Sequence, residues 1–189
     1  MKTKILTQVL LAAMMIVGGI AFPQRASAQL SKIPQRNSIV TIEHETGLEE
    51  TFEVFDAPKD GIHHYWLTVG HLGFGDEVFQ VYFDPAFELF IPLGDNLTDA
   101  LKTMEELQAL FKSPKGTSIE TEGCLSVGIP KEAKLETVKV AYHKPLITKI
   151  LEFSVQREGY IRSAQVGKDD FGSLVRGVKF YYKLHPKER

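Results

Sequence analysis

Three of the six histidines, the one cysteine and a glycine-rich run are the first places to look for chemistry in this chain, and their spacing decides how much they can do. His63, His64 and His71 invite a metal. Adjacent residues of a strand point to opposite faces, and eight residues of strand span roughly 26 Å, so no two of the three can share an ion from one straight strand. Asp76 and Glu77 could join His71 only if the connection between them folds back. The spacing therefore predicts no metal and no cofactor, with the histidines solvated or hydrogen-bonded. Gly70-His71-Leu72-Gly73-Phe74-Gly75 looks like a phosphate loop, but it lacks the strand-to-helix setting and the lysine of such loops. It reads as a bent connection between strands.

Cys124 would need a nearby histidine and a polarised pocket to act as a nucleophile. Along its strand it shares a face with Ser126 and Gly128, while Leu125, Val127 and Ile129 take the apolar face, and the run has no nucleophile-elbow spacing. It is expected to be structural. Asp170-Phe171-Gly172 has no other kinase element beside it, and Asn96-Leu97-Thr98, although a glycosylation sequon, sits where a helix needs a cap. No catalytic residue is assigned. Trp66 is the more informative residue, because its strand puts Tyr65, Leu67 and Val69 on one face and His64, Trp66 and Thr68 on the other. An indole on the more polar face is a platform for a sugar, a base or a partner side chain. The competing reading is that a loop or helix covers it, or that it fills a second small core.

These residues must be held by a framework, and the clearest part of it runs from Gly94 to Lys115. Leu97, Ala100, Leu101, Met104, Leu107 and Phe111 recur at three- and four-residue spacing with charged residues on the other side, which is an amphipathic helix. Asn96 caps it and Ser113-Pro114 stops it. Before it, strands are expected at Ser38 to Glu43, Glu49 to Phe55 and Ile62 to Val69, followed by a hairpin of Glu77 to Phe83 with Ala86 to Ile91. After it, strands are expected at Thr117 to Val127, Leu135 to Tyr142, Ile147 to Val155 and Tyr160 to Val166. Gly167 and a capping pair, Asp169-Asp170, then open a second helix through Phe171, Leu174, Val175 and Val178, with a strand through Phe180, Tyr182 and Leu184 as its rival.

A shift of 73 residues lays Gly94 on Gly167 and Tyr65, Leu67 and Val69 on Val138, Val140 and Tyr142, with Trp66 opposite Lys139. The chain thus reads as a tandem strand-strand-strand-strand-helix pseudo-repeat, 38–115 and 117–187, unless alternating strands have merely slid into partial register. The expected fold is one α+β domain, 38–189, of antiparallel β-sheets with two covering helices. The candidate binding surface is Trp66 with His64, Thr68 and Lys139.

Composition bounds where such a protein acts. Lys2 and Lys4, an apolar run from Val9 to Phe22 and Ala26-Ser27-Ala28 describe a signal peptide over 1–28, cleaved near Ala28, with 29–37 as a flexible leader. Its rival is an uncleaved membrane anchor. Cleavage removes three of the 22 basic residues and none of the 24 acidic ones, leaving 19 against 24, net -5, and no stable membrane insertion. Gln29 to Lys112 carries 5 basic and 15 acidic residues, and Ser113 to Arg189 carries 14 and 9. That polarity can steer an ionic partner or drive oligomerisation.

The reading that follows is a secreted or periplasmic, non-enzymatic binding protein for an unknown protein or small ligand. An extracytoplasmic hydrolase is the second reading, its site assembled only in three dimensions from His64 or His143 with Cys124, or His71 with Asp76 and Glu77. The third rests on layout alone: two strand-rich units each closed by a helix resemble the single-stranded nucleic-acid binders of the Whirly and PUR type. Lys139, Lys149, Arg162, Arg176, Lys179 and Lys183 would serve that role, whereas the signal peptide and the net charge speak against nucleic acid.

Overall fold

Alternation of apolar and polar residues, read strand by strand, builds one antiparallel sheet. The structure, a computed structural model, describes residues 36–44, 50–71, 74–76, 81–84, 87–126, 135–157 and 159–189. The signal peptide, most of the leader, and the turns around Gly47 and Ile129-Pro130 lie outside the described residues. In chain order the elements are β1 (Asn37–His44), β2 (Glu50–Asp56), β3 (Tyr65–His71), β4 (Phe74–Asp76), β5 (Val81–Asp84) and β6 (Phe87–Gly94), then helix α1 (Leu97–Ala109). The second run is β7 (Ser118–Ser126), β8 (Glu136–His143), β9 (Ile150–Arg157) and β10 (Tyr160–Gly167), then helix α2 (Lys168–Leu184). Eight strands form the sheet in the order β1-β2-β3-β6-β7-β8-β9-β10, and every pairing is antiparallel. The α+β class expected from the periodicities is the class observed.

Both helices lie on one face of the sheet. Phe52, Val54, Tyr65, Leu67 and Val69 from the early strands share a core with Val138, Val140, Tyr142, Leu151, Phe153, Val155 and Val166 from the late ones. Leu97, Ala100, Met104 and Leu107 of α1 and Phe171, Leu174, Val175 and Val178 of α2 cover them. The sheet curves enough that β10 comes within 8 Å of β3. Asn96 caps α1 by accepting from the Asp99 N–H at 2.8 Å, and its amide donates to the Asp99 carboxylate at 2.9 Å. The chain leaves α1 through a 3-10 turn at Leu110–Lys112, and Ser113 becomes extended ahead of Pro114.

Four expectations are corrected. Asp169 and Asp170 stand within the first turn of α2 while Gly167 is its N-cap, so these carboxylates meet the positive helix end without capping it. The third strand begins at Tyr65 instead of Ile62, because Lys59 and Ile62 close a tight turn in which Asp60 and Gly61 take positive φ. Leu146, also at positive φ, delays the strand expected from Ile147 to Ile150. The hairpin expected of 77–83 with 86–91 is not the pairing among their described residues: β5 pairs with β4 in a separate two-stranded ribbon, while β6 pairs with β3 and β7. Alternation alone does not name a strand's neighbour. In the main sheet β3 is third among the strands of the first run and β8 is second in the other, so the shift of 73 does not match strands of equal rank.

Two glycines sit where chains approach closely. A Cβ on Gly123, where β7 leaves β6 for β8, would stand 2.9 Å from the Phe90 carbonyl oxygen and 2.5 Å from Val138 Cγ2. On α2, a Cβ at Gly177 would meet Val40 of β1 at 2.7 Å. Alanine at 177 should gain about 1 kcal/mol of helix propensity and lose about 1 to 3 kcal/mol to overpacking, a net loss of stability. Urea unfolding of Gly177→Ala checks this, and a midpoint at or above that of the parent would contradict it.

Candidate functional site

Of the residues picked out, Trp66 and Thr68 lie on the helix-free face where β2, β3, β6 and β7 carry a second, smaller core. Phe55, Ala57, Trp66, Phe90 and Cys124 form it, with Leu135 against its edge. Arg36, just ahead of β1, lies over this cluster. Its guanidinium stands 4.6 Å from the Phe55 ring centre and 5.8 Å from that of Phe90, pairs with Glu53 and with Glu88 at 3.1 Å, and donates to Thr68 Oγ1 at 3.4 Å. Trp66 is only 1% exposed, and its indole N–H has no hydrogen-bond partner among the described residues. The expected platform is therefore closed. Thr68 is fully buried.

The other two members of that surface lie elsewhere. His64 is half-buried, with Nδ1 2.9 Å from Asp95 Oδ1. Lys139 is exposed on β8, opposite Glu120 and Ser154. Three strand spacings, roughly 14 Å, separate β8 from β3. The structure thus brings Trp66 and Thr68 into one buried cluster and leaves His64 and Lys139 outside it.

Neither histidine offered to Cys124 stands beside it. Cys124 is buried against Phe90, and β7 and β8 run so that His143 lies seven residues along β8 from Glu136, the partner of Gly123, or about 23 Å. His64 lies past the far end of the β3–β6 ladder from Cys124 and holds Asp95 instead. Glu77 and the side chains of His71 and Asp76 lie outside what is described. Among the described residues no three His, Cys, Asp or Glu side chains form a group that could hold a metal.

Two arrangements not foreseen from sequence stand out. The first is where the C-terminus docks. The 3-10 turn at Pro186–Glu188 brings Glu188 to Tyr65, whose hydroxyl donates to the carboxylate at 3.0 Å. His63 stacks on the Tyr65 ring and places Nδ1 2.8 Å from Asp56, and His185 stacks on Tyr181 at 3.7 Å. Asp56 is buried and also accepts from the His64 N–H at 3.1 Å, tying β2 to the approach of β3. Burial, and then the Glu188 hydrogen bond and charge, push the Tyr65 phenol well above the ordinary tyrosine range. Burial and the Glu188 charge raise Tyr181 in the same direction.

The second arrangement is a basic groove. Glu105, Gln108, Ala109, Phe111, Lys112, Lys149, Lys168 and Lys179 line a cavity of about 480 Å³ between the end of α1, the turn before β9 and α2. Lys149 Nζ donates to the Phe111 carbonyl at 3.4 Å, and the Lys168 N–H donates to the Lys149 carbonyl at 2.9 Å. Those two bonds fix the turn against both helices. Lys179 pairs with Glu105 at 2.7 Å, which leaves the other three lysines as the charge excess of the groove. Four ammonium groups against one carboxylate, over a floor that includes Ala109 and Phe111, suit an anionic group. Its lysines are spread over 68 positions of the chain, from 112 to 179. The sequence signal for Lys149, Lys168 and Lys179 is the basic excess after Ser113, and Lys112 lies outside it.

The raised tyrosines carry a pH consequence. A phenol whose folded pKa lies above its unfolded value of about 10 contributes stability that is fully present below pH 10 and is lost as pH rises further. The thermal midpoint should therefore fall above pH 10. Tyr65→Phe should flatten that fall while lowering stability at pH 8 by about 1 to 2 kcal/mol through the lost hydrogen bond to a carboxylate. An equally steep alkaline fall in the phenylalanine variant would assign the effect to another group.

No family model, curated protein or solved structure matches this chain.

Proposed function

We propose that this chain is an exported binding protein, without chemistry of its own, that holds an anionic group of its ligand or partner in the groove between α1 and α2. The observation that carries this reading is the set of four lysines against a single glutamate around one concavity. Lys149 supports it further, since its ammonium is steered by the Phe111 carbonyl and is not left to sample solvent freely. Export rests on the basic start, the apolar run from Val9 to Phe22 and the Ala26-Ser27-Ala28 end. No helix among the described residues is long and apolar enough to cross a membrane.

The groove also suits a two-part framework in one domain, 38–189. Each half would contribute four strands of the main sheet and one helix, and the groove would lie where the two helices meet. The element order supports that duplication, with the β4–β5 ribbon as an insertion in the first half.

The alternatives have less behind them. A hydrolase would need its histidine and Cys124 within hydrogen-bond reach. For a nucleic-acid binder, Lys139 is on the helix-free face whereas Lys179 and Arg176 are on α2, so the basic residues share no single surface.

Inorganic tripolyphosphate is a suitable probe of the groove. Calorimetry should show binding that weakens as salt rises. Lys112→Ala with Lys168→Ala should weaken it roughly tenfold or more, by analogy with charge-assisted contacts, while Lys139→Ala should leave it unchanged. Absence of binding at low salt, or equal loss in the Lys139 variant, would remove the groove as the site.

A further inference from the structure

The turn between β8 and β9 exposes two aliphatic side chains almost completely. Leu146 is 95% exposed and Ile147 91%, far more than any other large apolar side chain described. Pro145 and the Thr148 N–H bond to the Pro145 carbonyl, 3.0 Å, shape the turn, and Leu146 holds a φ of 51°. Left-handed backbone is the territory of glycine and asparagine, so a leucine is an unfavourable choice there on conformational grounds. Nothing in the fold gains from either side chain, because neither belongs to the core.

The surroundings of the tip are basic. Lys144 adjoins Pro145, and Lys149 closes the turn. Lys168 is bonded through its N–H to the Lys149 carbonyl, and Lys112 shares the groove with both. Lys115 stands in the turn whose Gly116 N–H donates to the Tyr142 carbonyl at 3.0 Å, beside the end of β8. Against these five lysines stand Asp169 and Asp170, next to Lys168, while Glu105 is neutralised by Lys179. Two aliphatic residues cover far too little area for a stable protein interface, which needs about 1,000 Å². Flanked by Lys144 and Lys149, with Lys112 and Lys168 in the adjoining groove, they match an interfacial anchor, in which apolar tips enter the headgroup boundary and lysines meet lipid phosphates.

We infer that the β8–β9 turn docks the protein on an anionic bilayer surface, with Leu146 and Ile147 entering the interface and Lys112, Lys115, Lys144, Lys149 and Lys168 on the headgroup phosphates. This rests on the groove reading for Lys112, Lys149 and Lys168, but the apolar tip is independent of it. The mode is peripheral, with the folded sheet remaining in water.

Co-sedimentation of the full chain with vesicles tests it, using phosphatidylcholine alone and phosphatidylcholine with 30% phosphatidylglycerol, at low and high salt. Parent and variants lacking residues 1–28, tested alongside, separate any contribution of the apolar start. Binding should require the anionic lipid and fall several-fold with salt. Leu146→Ser with Ile147→Ser should reduce vesicle binding tenfold or more, with an unchanged thermal midpoint and unchanged tripolyphosphate binding. Lys112→Ala with Lys168→Ala should reduce both. A tip variant that binds vesicles as well as its parent overturns the inference, as does binding indifferent to lipid charge. Loss of self-association in the tip variant, with no vesicle binding by the parent, overturns it in favour of a protein contact. Parent binding to tripolyphosphate but not to vesicles overturns the docking and leaves the groove standing.

Discussion

Eight strands present one apolar face to be covered, and only two helices are available to cover it. Flat, such a sheet would be too wide for a helix pair. Curvature solves the problem by bringing β10 toward β3, so that Val166 and Ala164 share a core with Leu67 and Val69. The glycines follow from this requirement. Gly177 lets α2 settle on Val40, and Gly123 lets the backbone of β7 pass beside the Phe90 carbonyl where its pairing changes from β6 to β8. Side chains at either place would hold apart surfaces that have to touch.

The helix-free face shows what the same sheet does without cover. Over the first strands it is apolar, and Arg36 closes it with its aromatic contacts and its two carboxylate partners. Over the last strands it is polar, with Glu120, Lys139, Ser154 and Ser163 in register across four strands. One face thus changes character along the strand order, and each part is consistent with its exposure.

Much of this was legible in the residues. The spacing of Leu97, Ala100, Met104 and Leu107, with Asn96 before and Ser113-Pro114 after, specifies α1 because each signal is local. The strands of the second half could be read for the same reason. Partner choice could not. Val81 and Phe83 alternate like any strand, and nothing in that alternation says that β5 pairs with β4 and stays out of the main sheet. The face of Trp66 was correctly separated from that of Tyr65, yet its exposure depended on Phe55 across the ladder and on Arg36, thirty positions earlier. The groove lay further out of reach, since Lys112, Lys149, Lys168 and Lys179 meet only through a turn pinned between two helices.

The two ends of the described chain are both fastened to β3. Arg36 reaches Thr68 on one face, and Glu188 reaches Tyr65 on the other. Between them, α2 covers β1 and β2, more than a hundred positions earlier in the chain, and its Phe171, Leu174 and Val178 are integral to the core. β1 and β2 gain that cover only when α2 docks, whereas α1 already lies against β3 and β6. Docking of α2 on β1 therefore closes contacts between distant positions, a slow and entropically costly step of folding.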